Sequence, residues 1–175
     1  YGQSSGQIGQ MHEGDLTAIV TSPPYEASIN AKKQGARQPE REAVLGRPVA
    51  YGASQDNIGN QSHETYWSAM ADVYRQCYAV LPPGGHIVLV LKGFVRQKKY
   101  VDLPGQTAQL LEHLGFCVVH LHRAMLISQV GQLTLDGGEV RKSRKSFFRR
   151  LSEAKGAPAI DWETVLCAVK EPSHA

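Results

Sequence analysis

Ser22-Pro23-Pro24-Tyr25 puts a hydroxyl, two proline carbonyls and an aromatic ring into four consecutive residues. The hydroxyl both donates and accepts hydrogen bonds. A proline offers its carbonyl without an N–H of its own, and its ring fixes φ, so the acceptor is held in place. The tyrosine adds a flat face for stacking. The same four letters also make an ordinary turn. What gives them weight is the run before them, Asp15-Leu16-Thr17-Ala18-Ile19-Val20, which is apolar and β-branched and stops at two prolines. That pattern predicts a short buried strand delivering a rigid loop at its carboxyl end.

Cations form the second constellation. Residues 141–150 hold Arg141, Lys142, Arg144, Lys145, Arg149 and Arg150, with Phe147 and Phe148 among them and no acid. A charge run is often only a solvated face, but this one suits a polyanion, since net charge over the whole chain is only +3. Lys92 follows an apolar run, with Arg96, Lys98 and Lys99 in the adjoining segment, near the strand ends where ligands sit in open α/β sheets. His120 and His122 alternate beside Arg123, too few ligands for a metal, and are expected to be packed or hydrogen-bonded. Tyr66, Trp67 and Trp162 are expected to be packing residues. Cys77, Cys117 and Cys167 form no CxxC pair and no zinc spacing; they predict three buried thiols in a reducing cytosol, hence a cytoplasmic protein. Residues 1–10 are polar and glycine-rich, without the apolar core expected of a signal peptide, and the longest apolar stretch, residues 87–91, is too short to cross a bilayer.

These groups must be positioned by the elements around them. Residues 26–60 are polar and rich in glycine and proline, which predicts a long loop. Within them Tyr51-Gly52-x-Ser54-x-x-x-Ile58-Gly59 echoes Tyr1-Gly2-x-Ser4-x-x-x-Ile8-Gly9, too briefly for a repeat architecture. Helical spacing of Tyr66, Trp67, Met70, Val73, Tyr74 and Cys77 predicts a helix over 63–80, with Ser62 as its N-cap and Pro82-Pro83-Gly84-Gly85 as its stop. Gly84-Gly85 precedes a strand, so it is a turn and not a phosphate loop. His86-Ile87-Val88-Leu89-Val90-Leu91 predicts a central strand buried on both faces. A second helix over 104–115 stopping at Gly115, strands at 116–126 and 164–169, and a basic excursion over 128–160 complete the order. The fold class is α/β: a single domain over 1–175 with a partly parallel sheet, the last two strands forming an antiparallel pair.

With these segments in order, the chain resembles the DNA amino-methyltransferases of phage and metagenomic type, over roughly residues 10–172. That family carries Asp, Asn or Ser, then Pro-Pro, then an aromatic residue; Ser22, Pro23, Pro24 and Tyr25 match it, and the Ser form is associated most with N4-cytosine enzymes. Leu81-Pro82-Pro83-Gly84-Gly85-His86 with residues 87–92, and the stretch 144–170, resemble later family segments. The resemblance implies a partial Rossmann-like sheet, S-adenosylmethionine as methyl donor, DNA as partner, and transfer of a methyl group to the exocyclic amino group of a flipped base, cytosine N4 above all. It implies that residues 22–25 are catalytic. Lys92, Arg96 and the cations at 141, 142, 144, 145, 149 and 150 become DNA-contact candidates. A restriction endonuclease partner stays open, as does oligomeric state.

The family's glycine-rich cofactor turn has no match, and four strands stand where the family sheet has about seven. The cofactor-binding half is therefore expected to be absent, preceding a chain that starts at Tyr1. The alternatives are N6-adenine methylation, a non-catalytic DNA-binding module, and a protein or RNA substrate.

Overall fold

A computed structural model describes residues 6–25, 57–61, 63–97, 99–126, 128–133, 139–142, 156 and 158–171. Its contacts divide the chain into two compact units, Tyr1–Asp15 with Pro23–Val80, and Leu16–Ser22 with Leu81–Ala175.

The first unit is organised by helix α1, His63–Val80. The predicted bounds agree with it; Ser62 lies outside the described residues. Tyr66, Met70, Tyr74, Cys77 and Val80 are buried along it, at the three- and four-residue steps that line one helical face. Two 3-10 turns lie against α1, Ile8–Gln10 and Ile58–Asn60. These are the Ile-Gly halves of the two echoing segments, so this part of the echo is one local structure used twice. Asn57 stabilises the second turn, its side-chain oxygen accepting from the Gly59 N–H at 3.1 Å.

The second unit holds a mixed four-stranded sheet. Strands β1 (Ala18–Thr21) and β2 (His86–Leu91) are parallel, and β8 (Trp162–Lys170) runs antiparallel to β2 and to β5 (Phe116–Met125). The order across the sheet is β1-β2-β8-β5. The expected antiparallel pairing of the last two sheet strands is thus present. Helix α2, Leu103–His113, lies against β5 and β8. Asp102 caps it, accepting from the Gly105 N–H at 3.1 Å. Gly115, at φ 96°, terminates it as the sequence predicts.

Two strands differ from expectation. β1 is an edge strand and not a buried one: Val20 is 73% exposed, because no described strand pairs on its outer side. β2 is internal, yet buried fully only at Ile87, Leu89 and Leu91, with Val88 and Val90 half-buried. In register with it, Leu166 and Ala168 of β8 share the buried face, while Val165 and Cys167 share the other.

Pro82-Pro83-Gly84-Gly85 is a β-turn closed by the Gly85 N–H on the Pro82 carbonyl at 2.8 Å, with Gly84 at φ 80°. Lys170 secures it. The Gly84 N–H donates to the Lys170 carbonyl at 2.8 Å, the Lys170 N–H to the Gly85 carbonyl at 2.9 Å, and the buried Lys170 ammonium to the Leu81 carbonyl at 2.7 Å.

Two hairpins were not anticipated. β3 (Phe94–Arg96) pairs with β4 (Lys99–Val101), and β6 (Ser128–Leu133) with β7 (Glu139–Lys142) inside the basic excursion. The first turns on two residues and holds Gln97 at φ 51°. A glycine or asparagine usually marks such a position, and its absence hid the hairpin.

Candidate active site

Ser22 directly follows β1, at the carboxyl end of a strand parallel to β2. Its side chain is exposed, and its hydroxyl has no hydrogen-bond partner among the described residues. Pro23 is buried, Pro24 exposed and Tyr25 half-buried. The short strand and the two prolines act together: one aims the chain out of the sheet, the other prevents it from continuing as sheet.

Pro24 is tied down from α1. The Tyr66 hydroxyl donates to the Pro24 carbonyl at 2.9 Å. Tyr66 is 1% exposed, and its ring meets Trp67 edge-on at 5.2 Å between centroids. Sequence reasoning placed Tyr66 in the helix core, which is right for the ring and missed the hydroxyl. The available signal was a tyrosine at a core position, since a buried phenol needs an acceptor.

At the carboxyl end of β2 come Lys92, half-buried, and Gly93, buried. A Cβ on Gly93 would overlap the ring of Tyr100 from β4. The Tyr100 phenol is held above its ordinary range, first by burial and then by nearby Asp102, with Arg123 opposing. Arg96 of β3 lies over the Phe94 ring at 5.1 Å, and Lys99 is exposed on β4. The side chains of Arg141 and Lys142, on β7, and the whole of Arg144, Lys145, Arg149 and Arg150 lie outside the described residues.

Two other expectations are corrected. His120 and His122 are exposed, their rings 5.1 Å apart, because no described strand pairs on the outer side of β5. No group of metal-binding side chains occurs among the described residues. Trp162 is half-buried, with Arg123 stacked over it at 5.1 Å. Of the thiols, all free, only Cys77 is buried; Cys117 and Cys167 are intermediate. No described helix is long and apolar enough to cross a membrane.

Fold and motif together define an α/β protein with a mixed sheet and a Ser-Pro-Pro-Tyr segment after its parallel edge strand. The DNA methylase family N6_N4_Mtase matches residues 16–174, and the chain belongs to that family, the DNA amino-methyltransferases. Among solved structures it is similar to TTHA0409 of Thermus thermophilus, described as a putative DNA modification methylase. Identity is 15%, with 96% of this chain and 51% of that one covered and a TM-score of 0.54. The same protein complexed with S-adenosyl-L-methionine matches at 16% identity, covering 96% and 53%, with a TM-score of 0.52. The chain thus spans about half the length of these structures, and the likeness establishes a shared fold. No curated protein matches the chain.

The described residues do not fit a methyl-donor site. The glycine-rich turn that the resemblance implies would put open glycine backbone between a strand and a helix. Ser22-Pro23-Pro24 follows β1, the space over Gly93 after β2 is filled by the Tyr100 ring, and Gly84 lies before a strand.

Proposed function

We propose that the chain supplies the amino-group site of an S-adenosylmethionine-dependent DNA methyltransferase, with cytosine N4 as the target. The observation that carries this reading is the exposed Ser22 hydroxyl, unpartnered among the described residues, at the end of a parallel strand and followed by a Pro-Pro segment anchored by Tyr66.

An exocyclic amino group is a poor nucleophile because its lone pair is delocalised into the base. Acceptors placed around its two N–H bonds favour a pyramidal nitrogen, which restores the lone pair. Ser22 Oγ and the Pro23 carbonyl are such acceptors, and the prolines hold them without conformational search. The base must leave the duplex to reach them, and Tyr25 offers a stacking face worth about 1–3 kcal/mol. Serine at position 22, in place of aspartate, supports cytosine N4 over adenine N6. The cations at 92, 96, 141, 142, 144, 145, 149 and 150 supply phosphate contacts in this reading. The missing donor site among the described residues favours one rival, a DNA-binding module without catalysis.

The test is to express the complete open reading frame in a host free of DNA methylation, beside a Ser22→Ala control, and analyse genomic nucleosides by mass spectrometry. N4-methylcytosine only with Ser22 present is expected. N6-methyladenine overturns the base assignment and keeps the amino-group chemistry. Neither mark, with soluble folded protein, overturns the methyltransferase reading.

A further inference from the structure

We propose that Arg123, Trp162 and Tyr100 form a contact surface for the DNA strand next to the target base. This rests on the reading of the chain as a DNA amino-methyltransferase and adds a binding surface to it.

The placement follows from strand register. β1, β2 and β5 run in one direction, so their carboxyl ends lie at one edge of the sheet. Thr21, beside Ser22, aligns with Leu89, Leu166 and Leu121. One step further on the same face, Leu91 aligns with Thr164 and Arg123, and beyond them Met125 aligns with Trp162. Arg123 is therefore at the same edge as Ser22, three strand spacings away, about 14 Å. That is about four base steps along a duplex.

The β5–β8 ladder continues past the end of β2, which stops at Leu91. The Leu126 N–H extends it by donating to the Asp161 carbonyl at 2.7 Å. On β5 this overhang is exposed, with Met125 at 52% and Leu126 as its large apolar side chains and Leu121 just before it, while Trp162 and Glu163 of β8 are half-buried. Tyr100, braced against Gly93, is exposed beside it.

The chemistry is that of a strand of nucleotides. Arg123 lies over the Trp162 ring at 5.1 Å, where the indole face restrains the guanidinium, whose N–H groups have no hydrogen-bond partner among the described residues. No carboxylate pairs with Arg123 among the described residues. β5 contains no acid, and the segment from Lys92 to Val101 adds Lys92, Arg96, Lys98 and Lys99; the acids nearby are Glu163 of β8, paired with Ala124, and Asp102, next to Val101. Cations among aromatic and apolar side chains match phosphates between bases.

Binding of fluorescent single-stranded and duplex oligonucleotides, measured by anisotropy over a range of salt, tests the surface. Arg123→Ala is expected to weaken binding about tenfold and to reduce the salt slope by about 1. Intrinsic fluorescence is expected to be quenched on binding in the unmodified chain and much less in Trp162→Phe. Circular dichroism checks that both variants fold. DNA binding with an unchanged slope in Arg123→Ala, or with equal quenching in Trp162→Phe, overturns this surface and leaves the proposed function standing. Absence of DNA binding by the folded product of the complete open reading frame overturns both.

Discussion

Tyr66 differs from phenylalanine by one oxygen, and that oxygen connects α1 to the Pro-Pro segment through the Pro24 carbonyl. Tyr66→Phe keeps the buried ring and loses the bond, at a cost of about 0.5–1.5 kcal/mol. Because near-attack geometry depends on small displacements, methylation by the Tyr66→Phe enzyme is expected to fall about ten- to a hundredfold. Denaturant unfolding alongside single-turnover methylation separates the two effects; equal activity would remove Tyr66 from the site. Ser22→Ala is the complementary case. Ser22 is exposed, so stability should change by less than about 0.5 kcal/mol, while methylation should drop by about a hundredfold or more. The motif itself was legible in the sequence because its chemistry lies in consecutive residues. The Tyr66 contact was not, since it joins residues 42 apart.

At the scale of elements, local signals worked where the backbone is governed by local chemistry. Both helices were legible from periodicity and from their stops, and the Pro82-Pro83-Gly84-Gly85 turn from its glycine at positive φ. The β3–β4 hairpin was hidden, because Gln97 adopts a positive φ without the usual residue for it. The turn before β2 depends on a distant partner, the Lys170 ammonium on the Leu81 carbonyl. Lys170→Met keeps most of the stem's packing and leaves that carbonyl unsatisfied. Urea unfolding should show a loss of about 1–3 kcal/mol. An unchanged midpoint would mean that the ammonium contributes nothing net.

At the scale of the whole molecule, stability should depend on alkaline pH through the buried face of α1. Burial pushes the Cys77 thiol from 9.0 up to about 11, and burial, then Tyr66 and Cys77, push the Tyr74 phenol up in the same direction. A group with a raised folded-state pKa contributes its full stability below its unfolded value. Above pH 9.0 the unfolded chain releases the Cys77 proton while the folded chain retains it, so stability falls up to about pH 11. Urea midpoints across that window should decline, and Cys77→Ala should flatten part of the decline; a level profile would refute the assignment. By itself, the sequence determined the Ser-Pro-Pro-Tyr motif, the order of the main elements, the two helices and the family resemblance. All of these depend on residue types at short spacing, which set backbone dihedrals and periodic burial directly. The tertiary structure alone decided that β8 inserts between β2 and β5, that β1 is an exposed edge, that Tyr66 reaches Pro24, and that Arg123 stacks on Trp162. Strand neighbours and such contacts join residues far apart in the chain, and local propensity carries no information about which distant segment will be met.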